Sequence, residues 1–179
     1  MRRYVLWVIA FSCACGAAFG AGSLEQAGFF IRVVDETTGR GVPLITLKTT
    51  NHLSWVTDSA GVAAVIEPGL MGQQVFFHVA GHGYTYPADG FGYRGARLDV
   101  RPGAWAQVKV KRVNIAERLY RVTGEGIYHD SVLAGQKTPL AAPLLNGQVM
   151  GQDSVQTCLY RGKLYLFWGD TAKPSYPLG

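Results

Sequence analysis

Short apolar runs, broken by glycine, proline and acidic turn residues, recur along this chain, and almost none of them has the spacing of a helix face. Phe29–Asp35 is a β-rich run that Glu36-Thr37-Thr38-Gly39 stops. Val42–Lys48 alternates, and Pro43 near its start marks an edge strand or a strand entrance, because proline cannot donate to a ladder. Leu53–Thr57, Val62–Ile66, Gln74–Ala80, Ala96–Val100 and Trp105–Val110 follow, separated by turns such as Asp58-Ser59-Ala60-Gly61, Glu67-Pro68-Gly69 and Arg101-Pro102-Gly103. Seven strands at this spacing, with no amphipathic helix, predict an all-β fold closed as a Greek-key sandwich of two packed sheets.

The pattern then changes. Asn114–Arg121 has room for one helical turn, Val122-Thr123-Gly124-Glu125-Gly126 breaks it, and Gly126–Val132 reads as an extended arm. Prolines and Asn146-Gly147 keep the backbone irregular until a hairpin begins. Ser154–Tyr160 and Lys163–Trp168 are its strands, with Arg161-Gly162 as a two-residue turn in which glycine supplies positive φ. That turn pairs Tyr160 with Lys163, and the same register brings Asp153 opposite Asp170 at the open end. Leu164, Leu166 and Trp168 share one face while Tyr165 and Phe167 share the other, so the hairpin needs cover on both sides.

Composition sharpens this outline. The 179 residues are 48% hydrophobic and 16% charged, with 23 Gly and 8 Pro, as in a turn-rich β protein. Residues 1–22 run from Met1-Arg2-Arg3 through apolar Val5–Ala18 to small residues around Gly20, the layout of a secretory signal peptide. The apolar run is shorter than the ~20 residues of a bilayer-spanning helix, so export to the periplasm, cell envelope or medium is expected, without a stable membrane span. Without Arg2 and Arg3 the formal charge falls from +5 to +3, and the densest basic group, Lys109, Lys111 and Arg112, alternates along a strand as a solvated face. No nucleic-acid partner is expected. Cys13 and Cys15 fall in the signal, leaving Cys158 alone, expected as a small buried hydrophobe with no intrachain disulfide.

Three groups of residues carry candidate chemistry. Asp153 and Asp170 are placed to meet, as an acid–base pair or as two separately satisfied turn carboxylates. Tyr84, Tyr86, Phe91 and Tyr93, interleaved with glycines, form an aromatic connection suited either to stacking on sugar rings or to packing on a neighbouring domain. His78 and His82 lack a convincing third ligand, so no metal or cofactor is expected.

Two resemblances extend the picture. The order Val34-Asp35, Thr38-Gly39, Val42-Pro43, Thr57-Asp58, Gly61, Val79-Ala80 and Gly83-Tyr84 resembles the carboxypeptidase-regulatory-like, or transthyretin-like, sandwich domains of secreted proteins. It implies a seven-stranded immunoglobulin/transthyretin-like module over residues 23–112 with a supporting or binding role. Gly151-x-Asp153, Tyr160-x-Gly162-Lys163-Leu164-Tyr165 and Phe167-Trp168-Gly169-Asp170-Thr171 resemble the first blade of five-bladed β-propellers of glycoside-hydrolase type. That second resemblance implies an incomplete propeller blade over residues 139–179 after a linker at 113–138, with further blades missing. It makes Asp153 the catalytic or sugar-binding carboxylate and Asp170 an orienting or structural one, in a fragment inactive by itself. The expected function is an exported accessory module attached to a glycosidase-like propeller that binds or acts on extracellular glycans. The competing expectation is a non-enzymatic envelope protein for adhesion or protein interaction.

Overall fold

The computed structural model describes residues 27–176. The signal peptide expected over residues 1–22, with Cys13 and Cys15, lies outside them.

Eight strands build a sandwich. β1 (Phe29–Asp35), β4 (Val62–Val65), β6 (Tyr84–Thr85) and β8 (Trp105–Arg112) form one sheet in the order β4-β1-β8-β6. β2 (Thr46–Thr49), β3 (Ser54–Val56), β5 (Gln74–Ala80) and β7 (Gly95–Asp99) form the other in the order β3-β2-β5-β7. β1 and β8 run parallel, with Phe30 beside Trp105 and Asp35 beside Val110, while every other pairing in the two sheets is antiparallel. The inner faces meet in one core of Phe29, Ile31 and Val33 from β1, Leu47 from β2, Phe77 and Val79 from β5, and Val108 and Val110 from β8. Strict alternation along β8 turns Lys109 and Lys111 outward, as their spacing predicts. All seven expected strands are present, and the two-residue β6 is an addition.

The second strand is shorter at its start than its alternation predicts. Val42–Ile45 is not strand: Leu44 takes φ 59, and the ladder starts at Thr46. Pro43 therefore precedes the entrance of β2, which is an inner strand between β3 and β5.

β1 reads as a nearly unbroken apolar run because it is covered on both faces. On the outer face Phe30, Val62 and Ala64 pack against Ala134 and Leu133. Those two residues belong to α1 (His129–Leu133) and its C-terminal end, a helix in place of the expected extended arm. The helix forms because the outer face of β1 and β4 offers apolar cover, and because two carboxylates tie its backbone and side chains to the sheet. Asp58 Oδ2 accepts from the Ser131 amide at 2.7 Å, and Asp130 Oδ2 accepts from the Ala64 amide at 2.8 Å. Ser59 N–H donates to the Ile127 carbonyl at 2.8 Å, and Ile127 is fully buried.

The segment between β8 and α1 has no helical turn. Asn114 Oδ1 accepts from the Ala116 amide at 2.7 Å in a side-chain turn, and Arg118 anchors the segment to the sandwich. Its guanidinium donates to the carbonyls of Pro43, Leu44 and His82 at 2.8, 3.0 and 2.7 Å, and its amide donates to the Tyr84 hydroxyl at 3.1 Å.

The C-terminal hairpin has the register that its turn predicts. β10 (Val155–Tyr160) and β11 (Lys163–Trp168) pair from Tyr160 with Lys163 to Val155 with Trp168. Arg161 and Gly162 have φ of 49 and 72, as a type I′ turn requires of both central residues. The same register continues beyond the hairpin, where β9 (Gly151–Gln152) meets β12 (Thr171–Ala172). Nearly every side chain of the hairpin is exposed. Cys158 is exposed as well, contrary to its expected burial, because nothing among the described residues covers that face.

Candidate functional site

Asp153 and Asp170 sit between the β9–β12 ladder and the β10–β11 hairpin. The Asp153 amide donates to the Asp170 carbonyl at 2.9 Å, so the two residues face each other across the strands. The strand breaks there because Ser154 takes φ 36, and the Gly169 amide bridges the gap to the carbonyls of Asp153 and Ser154 at 3.2 and 3.3 Å. Asp153 Oδ1 accepts from the Ser154 amide at 2.7 Å, while the Thr171 hydroxyl donates to the Gly169 carbonyl at 3.1 Å. Both aspartates are exposed and line one open cavity of about 280 Å³ with Gly151, Gln152 and Ala172. Asp153 also faces a neighbouring cavity of about 340 Å³ that Arg121, Thr123 and Trp168 line.

This arrangement can bind a hydroxylated or cationic group between two carboxylates. Both carboxylates are open to solvent within the described residues.

The four aromatics of the glycine-rich connection separate. Tyr84 is in the sandwich core, with the Arg118 guanidinium 5.9 Å from its ring centre, so it presents no face to a ligand. Tyr86 is half-buried against the same core, and its carbonyl accepts from Arg94 at 2.7 Å. Phe91 and Tyr93 are exposed, at 90% and 58%. Asp89 holds their loop by accepting from both amides at 2.9 Å. Tyr93 meets His78 edge to face at 5.9 Å, and His78 meets Phe76 at 4.9 Å, giving an aromatic row on the outer face of β5. His78 thus has a packing partner on each side, and among the described residues no three His, Cys, Asp or Glu side chains gather as a metal site.

Residue spacing carries no sign of the groups around α1. Asp58 is buried, and burial pushes its carboxyl above the ordinary aspartate range, against the amides of Ser131, Val62 and Ala60 that favour its charged form. The Ser131 hydroxyl lies beside the same carboxylate and is buried without a hydrogen-bond partner. Burial also raises the Tyr128 phenol, with the charges of Asp58 and Tyr120 adding to it. Tyr128 and Pro139 form the common wall of a cleft between the sandwich and the segment after Val113. The acidic stretch Asp58-Ser59-Ala60-Gly61 is legible in sequence as a turn; that it also holds a helix from 73 residues away is not.

No protein-family model matches the chain, and no curated protein matches it.

Proposed function

We propose that this is an exported glycan-binding protein in which a transthyretin-like sandwich carries a β-propeller blade of the glycosidase type. The observation that supports it is the hairpin: Leu159, Leu164 and Phe167 are 76%, 63% and 59% exposed on an isolated two-stranded ribbon. A lone hairpin is marginal in water, and among the described residues no strand pairs with either of its edges. A propeller supplies what this ribbon lacks, namely further strands at its edge and neighbouring blades on its faces.

Within that reading Asp153 points toward the blade junction and serves as base, nucleophile or sugar-binding carboxylate, and Asp170 orients it across the ladder. The pairing of Asp153 N–H with the Asp170 carbonyl supports the division, because it fixes Asp153 relative to the strand that carries Asp170.

The test uses a protein carrying the complete blade array. Asp153→Asn should abolish hydrolysis of its glycan with little change in melting temperature, and Asp170→Asn, which keeps the backbone carbonyl that meets the Asp153 amide, should lower hydrolysis with little change in melting temperature as well. Unchanged hydrolysis by the Asp153 variant refutes the catalytic assignment and leaves a binding module.

A further inference from the structure

We propose that the cleft around Tyr128 and Pro139 binds the carboxylate- or sulfate-bearing ring of an acidic saccharide. The proposal rests on the glycan reading above and adds the charge class of the ligand and the place where it binds.

Three adjoining cavities, of about 370, 300 and 110 Å³, share Tyr128 and Pro139 as walls. No Asp or Glu among the described residues lines any of them, whereas Arg32, Arg40, Arg121 and Lys137 all do. Two of those cations already have partners. Arg40 pairs with Glu117 at 3.3 Å, and Arg121 donates to the Glu125 carbonyl at 3.0 Å. Arg32 and Lys137 form no ion pair among the described residues. Arg32 is the single exposed residue of β1, so the strand itself aims it out of the core and into the cleft. Lys137 follows α1 and faces the same cavity.

Arg32 and Lys137, the cations of this wall without an acidic partner among the described residues, bring positive charge to whatever enters. The fork of an arginine matches carboxylate and sulfate in two parallel hydrogen bonds, and a nearby ammonium adds a point charge. The ring surfaces are present as well. Trp105 and Tyr120 are 42% and 58% exposed at the cleft, and Tyr128 closes its floor. Aromatic faces take the apolar face of a pyranose while the cations take its acidic substituent. Asp153 and Asp170, by contrast, would repel such a ring, so the two sites divide their ligands by charge. A cleft between a folded core and the segment wrapped over it is also a common place for a ligand site.

Isothermal titration of the whole chain tests this with a uronic-acid disaccharide, a sulfated disaccharide and the neutral counterpart of each. The acidic sugars should bind about tenfold more tightly than the neutral ones, and Arg32→Gln or Lys137→Gln should each weaken the acidic sugars about tenfold without moving the melting temperature. Equal affinity for acidic and neutral sugars, insensitive to both substitutions, overturns the cleft and leaves the glycan reading standing. Acidic-sugar binding that is lost in Tyr93→Ala but kept in Arg32→Gln also overturns it, placing the ligand on the loop. If the chain binds none of the panel, the cleft falls, while the glycan reading is decided separately by Asp153→Asn in the complete blade array.

Discussion

Asp58 joins two parts of the molecule through three backbone amides. Its Oδ1 accepts from Ala60 and Val62 at 2.9 and 3.1 Å inside its own turn, and its Oδ2 accepts from Ser131 on α1 at 2.7 Å. Asparagine could keep the first two bonds but would turn an amino group toward the Ser131 amide, so Asp58→Asn leaves a buried donor unpaired, at a cost of about 2 kcal/mol. Burial raises the folded-state pKa above the unfolded value, so the folded protein holds this proton more tightly than the unfolded chain does. The resulting stabilisation is complete below the ordinary value of 3.8 and is lost as pH rises through the raised pKa. The deficit of Asp58→Asn relative to the parent should therefore be largest at low pH and shrink as the pH rises through that window. Urea unfolding at a series of pH values measures it. A deficit that grows with pH would mean that the amides around the carboxylate outweigh its burial.

At the scale of elements, the hairpin and α1 show which structure local sequence encodes. The hairpin is set by its own turn: Arg161-Gly162 and the β-branched and aromatic flanks specify a register that places Asp153 and Asp170 face to face. Its exposed faces belong to no local interaction, which gives a direct prediction. Leu159 and Leu164 are cross-strand partners, so Leu159→Lys combined with Leu164→Glu keeps a favourable pair on that face. Because both are surface positions, the double variant should unfold within about 0.5 kcal/mol of the parent while self-associating less. Sedimentation and thermal melts read the two effects; a large drop in stability would show that the leucines already have partners within the chain. α1 is the opposite case. Its sequence, with Gly126 ahead of it and Gly135 behind, has neither length nor an amphipathic stripe, and it becomes a helix only where Phe30, Val62 and Ala64 receive it. Cys158 departs from its expected burial, and Tyr84 lies in the core, for the same reason: burial on a strand is decided by what packs over it, which alternation alone does not name.

For the whole molecule the question is where the sandwich ends. The strands of the sandwich end with β8 at Arg112. The packing extends further. Phe30 is fully buried, with its ring tilted against that of Trp105 at 5.1 Å and covered by Ala134 and Leu133, and the Ala64 amide is satisfied by Asp130. A chain cut after Arg112 uncovers that face and leaves the Asp58 turn without its helix. Exposing one phenylalanine and part of two neighbours costs about 3 kcal/mol, a large share of the roughly 5–15 kcal/mol that holds a typical domain. In a domain of this size each kcal/mol corresponds to roughly 4–8 °C, so residues 23–112 should melt about 15 °C below residues 23–145. Matched thermal unfolding of the two spans decides it. Equal melting temperatures would show that the sandwich is complete at Arg112 and that α1 is an attachment. The expected drop would make residues 113–145 part of the same folding unit, so that the wall carrying Tyr128 and Lys137 is held against β1 by the stability of the sandwich itself.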